Sequence, residues 1–290
     1  MRLAAISPWG WLSFAAAFNA LLPAAHKAYQ EEGLIASITS GLGHSFVIWF
    51  SLIIVYRLAV RDRTPSAEKT LLLPVYLVIC LALMLPWAQL SWVCCAVAAW
   101  IWRSLASPQS ASRTAAIVMF AVAIREPGTQ ICLTLFADQI LNIDATLATS
   151  LLGLFSSAAE VESNIIKPDG GFSLMILTGC SAFGNLSLAL LLWISLTLNL
   201  HLQMTPHDVI RAAVVISIVL LINSLRLAGM SLSEDWYNSL HTGLGAEIVN
   251  SLVLITPLLL VRWNKDNEHQ TLLSNFSTAR ALHRPINKGL

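Results

Sequence analysis

The chain has 290 residues, of which 56% are hydrophobic and only 11% are charged, and its mean hydropathy is +0.69. Soluble globular chains are about one quarter charged, so this composition excludes an ordinary soluble protein. The net charge of +1 gives no indication of nucleic-acid binding. In a bilayer only helices and closed barrels satisfy every backbone group, and the apolar runs here are continuous rather than alternating. We therefore expect an all-α, polytopic transmembrane helical bundle.

Eight apolar stretches are predicted to cross the membrane, because a spanning helix needs about 20 mostly apolar residues. The first is alanine-rich, as signal peptides are, but we interpret it as a retained helix. The fifth is short, and the turn Leu85-Pro86-Trp87 separates the third from the fourth. We expect one transmembrane domain, 1–263, with a catalytic part at about 125–263, and a flexible cytoplasmic tail, 264–290. The eight stretches are Trp9–Ala25, Gly41–Val60, Leu71–Trp87, Leu90–Leu105, Thr114–Ile124, Ser173–Leu200, Val209–Met230 and Leu240–Trp263.

The distribution of basic residues predicts that the amino terminus lies inside. Cytoplasmic loops carry an excess of lysine and arginine. With the amino terminus inside, thirteen of the 17 basic residues fall on the inner side. The four on the outer side are Lys27, Arg125, Lys167 and Arg226.

The longest outer segment runs from Arg125 to about Phe172. Its apolar stretches Ile131–Phe136 and Ala145–Phe155 predict helices that lie at or dip into the outer interface. The sequence Pro168-Asp169-Gly170, between short runs of β-favouring residues, predicts a β-hairpin on the outer face.

Three residues with reactive or charged side chains stand where apolar segments meet polar sequence. Cys180 follows the hairpin, Arg226 lies near the outer end of the seventh stretch, and His241 opens the eighth. An antiparallel bundle brings all three to one end. A thiol beside an imidazole is a nucleophile–base pair, and a fixed cation stabilises an oxyanion. Each residue also has a plainer interpretation: Cys180 as a small packing residue, Arg226 as a cation reaching the headgroups, and His241 as an interfacial polar residue.

Several further polar residues are weaker candidates for the same site. Asn223 precedes Arg226 by one helical turn and is expected to orient its guanidinium. His44 is either part of a substrate site or, the reading we favour, an interfacial structural residue. Glu247 lies inside the eighth stretch and is either a catalytic acid or, the reading we favour, a polar contact in the bundle interior, with Asn250 as its nearest candidate partner.

The motifs around these residues resemble those of the exosortase and archaeosortase family of membrane cysteine transpeptidases. The resemblance runs across most of the chain. The matching stretches are Gly43-His44-Ser45, Arg125-Glu126-Pro127, Gly179-Cys180-Ser181-Ala182, Asn223-Ser224-Leu225-Arg226 and the position of His241.

The resemblance implies a role for each matching residue. Cys180 would be the nucleophile, His241 the acid and base, and Arg226 the oxyanion-stabilising or substrate-positioning cation. Ser181 and Asn223, within the same motifs, are expected beside the substrate. Ala182 stands where the family commonly has glycine, and no arginine follows shortly after it. These departures indicate a divergent subfamily and leave the target motif open.

By the same resemblance, the partner is a membrane-anchored exported protein. It would carry a carboxy-terminal sorting signal: a Pro-Glu-Pro-like motif, a spanning helix and a basic cluster. The location implied is a bacterial inner membrane, with the site facing the periplasm. No organic cofactor is implied, and the five cysteines show no spacing typical of a metal site. The alternatives are a membrane transporter and a non-catalytic partner in exopolysaccharide assembly.

Overall fold

The computed structural model describes residues 6–62, 73–155, 159–170 and 172–262. The predicted tail, 264–290, and the outermost residues Leu71 and Trp263 of two predicted spans lie outside them. Within the described residues the chain forms eleven α-helices and one three-stranded sheet, which confirms a predominantly helical fold. The helices are α1 (Pro8–Glu32), α2 (Leu34–Thr39), α3 (Phe46–Arg61), α4 (Leu73–Ala82), α5 (Ala88–Leu105), α6 (Ala111–Leu135), α7 (Ala137–Phe155), α8 (Ala182–His201), α9 (Pro206–Met230), α10 (Glu234–His241) and α11 (Leu244–Arg262).

Four of the described helices, α6, α8, α9 and α11, are long and apolar enough to cross a membrane. This supports a multi-pass membrane protein, whereas the predicted number of eight spans is not confirmed. The helix α4 has 10 residues, and α3 has 16 because Ser45 caps its amino terminus. The helix α1 has 25 residues but ends in charged sequence, including Lys27 and Glu32.

The larger hydrophobic core joins α1, α3, α5 and α6 with part of α8. Alanines make up many of its buried residues, and small side chains let helix backbones approach closely. Polar side chains inside this core bond across helices: Asn19 of α1 donates to Ser91 of α5 at 2.9 Å, and Ser195 of α8 donates to Ser51 of α3 at 2.9 Å. Fully buried alanines line the contacts, among them Ala16, Ala17, Ala98, Ala99, Ala115, Ala116 and Ala123.

A second core packs the sheet between α7 and the carboxyl end of α9. The strands β1 (Ala159–Glu162), β2 (Ile165–Pro168) and β3 (Leu174–Met175) are antiparallel and adjacent in chain order. The predicted turn at Pro168-Asp169-Gly170 begins the connection from β2 to β3, so the hairpin is confirmed. A second hairpin precedes it, with Ser163 in the left-handed region at φ 57° and Asn164 donating to the Ile176 carbonyl at 2.8 Å.

The junction between the fifth predicted span and the outer segment differs from the prediction. The helix α6 continues through Arg125 and Pro127 to Leu135, so Ile131–Phe136 is not a separate helix. Arg125 and Glu126 pair with each other, and Arg125 donates to Ser187 of α8 at 3.0 Å. These contacts satisfy the charges within the helix, which removes the reason for it to end there. The next helix, α7, packs alongside α9, and a groove of about 500 Å³ lies between them.

Candidate active site

Cys180 lies at the junction between the sheet and α8. It ends a 3₁₀ turn, Thr178–Cys180, and the next residue, Ser181, caps the amino terminus of α8 by accepting from the Phe183 amide at 3.2 Å. The Cys180 side chain is 7% exposed and belongs to the second core. A short turn against a rigid helix end therefore fixes where the thiol points.

His241 is the last residue of α10 and meets the thiol directly. Its Nδ1 lies 3.7 Å from the Cys180 sulfur, within hydrogen-bonding range for a thiol. The imidazole stacks on the Tyr237 ring, one helical turn earlier, with ring centroids 5.0 Å apart and planes inclined by 24°. The half-buried imidazole is thus held in the position of a general base for the thiol.

Arg226 lies one turn before the end of α9 and is 9% exposed. Its Nε donates to the Leu240 carbonyl at 2.9 Å, which ties α9 to the residue next to His241. Among the described residues no carboxylate lies within ion-pair distance of its guanidinium. The burial of the guanidinium and its bond to the Leu240 carbonyl favour a role within the protein over snorkelling. Its terminal nitrogens remain available to an anion.

Two glycines allow Leu240 to fit between α9 and α11. A Cβ on Gly229 would stand 2.8 Å from Leu240 Cδ1, and one on Gly245 would stand 2.9 Å from the Ser239 carbonyl oxygen. Both distances are shorter than side chains tolerate, so only glycine fits without a shift. The two glycines thus leave room for Leu240, the residue next to His241.

Asn223 hydrogen-bonds to the Cys180 backbone and not, as expected, to the Arg226 guanidinium. The Asn223 side chain is fully buried, and its Nδ2 donates to the Cys180 carbonyl at 3.3 Å. Its Oδ1 is buried and has no hydrogen-bond partner. A buried amide oxygen without a partner is costly, so it is a candidate acceptor for a donor on a bound substrate.

Asp144 of α7 is the site residue that sequence reasoning missed. It is 3% exposed, and its Oδ2 accepts from the Ser181 hydroxyl at 2.6 Å and from the Ala182 amide at 3.1 Å. Burial raises the pKa of the Asp144 carboxyl above its ordinary value, and these two hydrogen bonds partly offset that rise. No pattern near Asp144 signals this contact, since its partners follow 37 and 38 residues later.

No family model, curated protein or solved structure matches this chain. The resemblance to the exosortase and archaeosortase family accordingly stays a prediction, and it rests on the motifs quoted above. What the site can do chemically follows from its own geometry.

Two of the weaker candidates lie apart from this constellation. His44 contacts the Leu21 carbonyl of α1 at 3.2 Å, in the larger core, which fits the structural role we favoured. Glu247 and Asn250 are exposed on α11, so the expected contact in the bundle interior is wrong. The reason is that α11 buries a different stripe of side chains, which includes Ala246, Val249 and Val253. Within the described ranges no three His, Cys, Asp or Glu side chains are grouped to hold a metal ion.

Proposed function

We propose that the protein is a membrane-embedded cysteine endopeptidase or transpeptidase. The observation that carries the proposal is the 3.7 Å approach of the Cys180 sulfur to His241 Nδ1 at one end of a bundle of apolar helices. The nearly buried Arg226 guanidinium supports it, because a permanent cation that no carboxylate of the described residues pairs with suits a site where negative charge develops.

The reaction has two steps with Cys180 as nucleophile. His241 takes the thiol proton, and the sulfur attacks the carbonyl carbon of a peptide bond. The resulting oxyanion is stabilised by Arg226, the C–N bond breaks, and His241 returns the proton to the leaving amine, which leaves a thioester on Cys180. Water or an amine then attacks the thioester, its proton passes to His241, the C–S bond breaks and the thiol is restored. Hydrolysis and transfer differ only in this second nucleophile.

The substrate proposed is a carboxy-terminal sorting signal of an exported protein, as the family resemblance implies. In such a signal a short Pro-Glu-Pro-like motif precedes a spanning helix and a basic cluster. We place the site at the outer face of a bacterial inner membrane, because thirteen of the 17 basic residues then lie inside. The scissile motif of an anchored substrate would emerge at that level of the membrane.

The alternative is a transporter or a non-catalytic partner in exopolysaccharide assembly, and Glu247 is the observation in its favour. An exposed carboxylate on a helix apolar enough to span a membrane is costly against lipid, so it marks a surface suited to another protein or a polar substrate. In that case Glu247→Gln would abolish the cellular function, and Cys180→Ala would leave it unchanged.

The proposal is tested by co-expressing the protein with a secreted reporter that ends in the motif, an apolar helix and basic residues. We expect Cys180→Ala to abolish removal of the tail while the variant still accumulates in the membrane. Cys132→Ala is the matched control, because Cys132 is a free, half-buried cysteine of α6. Undiminished processing by the Cys180 variant would end the proposal.

A further inference from the structure

Asp144 is a buried carboxylate to which the proposed reaction gives no role. Its Oδ2 alone accepts both hydrogen bonds, one from the Ser181 hydroxyl and one from the Ala182 amide. These are the two residues that directly follow Cys180. The carboxyl therefore lies at the amino terminus of α8, where the free amides of a helix favour an acceptor.

The two residues after Cys180 are anchored to α7, and the Cys180 carbonyl itself is anchored to α9 by Asn223 at 3.3 Å. The backbone that directly follows the Cys180 Cα is thus held by side chains from two different helices. Capping does not require Asp144, since the Ser181 oxygen already accepts from the Phe183 amide. What Asp144 adds is a fixed direction for the Ser181 side chain and for the turn that carries the thiol.

We infer that Asp144 is a positioning residue that acts through Ser181 and Ala182 to hold the Cys180 thiol against the His241 imidazole. The inference rests on the proposed function, in which that contact activates the thiol. Both hydrogen bonds end on the same oxygen of Asp144, so the residue needs a correctly placed oxygen acceptor and does not need a negative charge. An asparagine whose amide oxygen takes the same place satisfies both donors, whereas alanine satisfies neither.

The test measures alkylation of Cys180 by iodoacetamide near neutral pH in the full-length protein, with mass spectrometry resolving each of the five cysteines. Only the thiolate reacts, so the rate reports whether the imidazole takes the thiol proton. We expect His241→Ala and Asp144→Ala each to lower the Cys180 rate about tenfold. The double variant should fall no further than the lower single variant, because both changes act on one contact.

Two more variants separate positioning from a purely structural role. Asp144→Asn should restore a rate close to that of the unchanged protein. Asp138→Ala, an exposed carboxylate on the same helix, should leave the rate unchanged. A variant that unfolds should instead show a higher alkylation rate at Cys180, because unfolding exposes the buried thiol. If Asp144→Ala unfolds, Ser181→Ala replaces it, since it removes the other partner of the 2.6 Å hydrogen bond.

The outcomes distinguish the two proposals. Equal rates in the unchanged protein and His241→Ala would overturn the proposed function, and this inference with it. A lower rate in His241→Ala together with an unchanged rate in Asp144→Ala and Ser181→Ala would overturn the role of Asp144 alone. Additive effects of Asp144→Ala and His241→Ala, or a failure of Asp144→Asn to restore the rate, would also overturn it.

Discussion

Replacing Arg226 by methionine is expected to lower activity strongly without lowering stability. Methionine keeps most of the packing of the arginine stem and removes the guanidinium. In the structure Arg226 is 9% exposed, and its guanidinium donates a hydrogen bond to the Leu240 carbonyl at 2.9 Å. The methionine variant therefore loses both the stabilising hydrogen bond and the destabilising cost of burying the charge.

The magnitudes follow from these contacts. A hydrogen bond from a charged donor contributes about 1.5–3 kcal/mol, which the variant loses. Burying a cation without a counter-ion costs several kcal/mol, which the variant regains. The net change in stability is expected to be near zero or favourable. Loss of an oxyanion-stabilising group lowers the rate constant about 100- to 1,000-fold.

The assay pairs reporter processing with the thermal midpoint of the detergent-solubilised protein. Arg211→Met is the matched control on the same helix, because Arg211 is 31% exposed and pairs with Asp208 at the other end of α9. That variant should process the reporter normally. Normal processing by Arg226→Met would refute the reasoning, as would a drop in its thermal midpoint large enough to account for the lost activity.

Two further predictions concern the surroundings of the site. Gly245→Ala forces a methyl group to within 2.9 Å of the Ser239 carbonyl oxygen. It should therefore destabilise the protein by about 1–3 kcal/mol and slow processing. The control is Gly153→Ala, whose added methyl group meets nothing within 4 Å, and it should change neither stability nor processing. Burial raises the pKa of Asp144 in the folded state. The stability that the protonated carboxyl contributes is therefore fully present at a pH below the ordinary pKa of aspartate, and it is lost as the pH rises through the folded-state pKa. Asp144→Asn does not ionise, so its thermal midpoint should exceed that of the unchanged protein near neutral pH and converge with it in acid; a gap independent of pH would contradict this.

Much of the candidate site is predictable from the sequence, because it is built from the ends of apolar segments. Cys180, Arg226 and His241 each stand at such an end, and packing of neighbouring helices brings ends together regardless of side-chain detail. The β2–β3 turn is also predictable, since Pro168-Asp169-Gly170 favours a turn locally. In both cases the signal lies within a few residues of the feature it predicts.

The parts that escaped prediction depend on contacts between residues distant in sequence. Asp144 resembles any polar residue on an amphipathic helix until α8 places Ser181 against it. The pair Arg125–Glu126 looks like the end of a span, but Ser187 of α8 satisfies the arginine within α6. Glu247 was expected in the bundle interior but is exposed, because hydropathy locates the helix α11 without showing which of its faces is buried.

The central claim is that Cys180 forms a covalent thioester with the cleaved reporter. Mass spectrometry of the purified protein after reaction measures this directly, with hydroxylamine used to identify a thioester. We expect a hydroxylamine-sensitive adduct at Cys180 that carries the retained part of the reporter and is missing from Cys180→Ala. Cleavage of the reporter that proceeds at the normal rate without any adduct at Cys180, or in the Cys180→Ala variant, would contradict it.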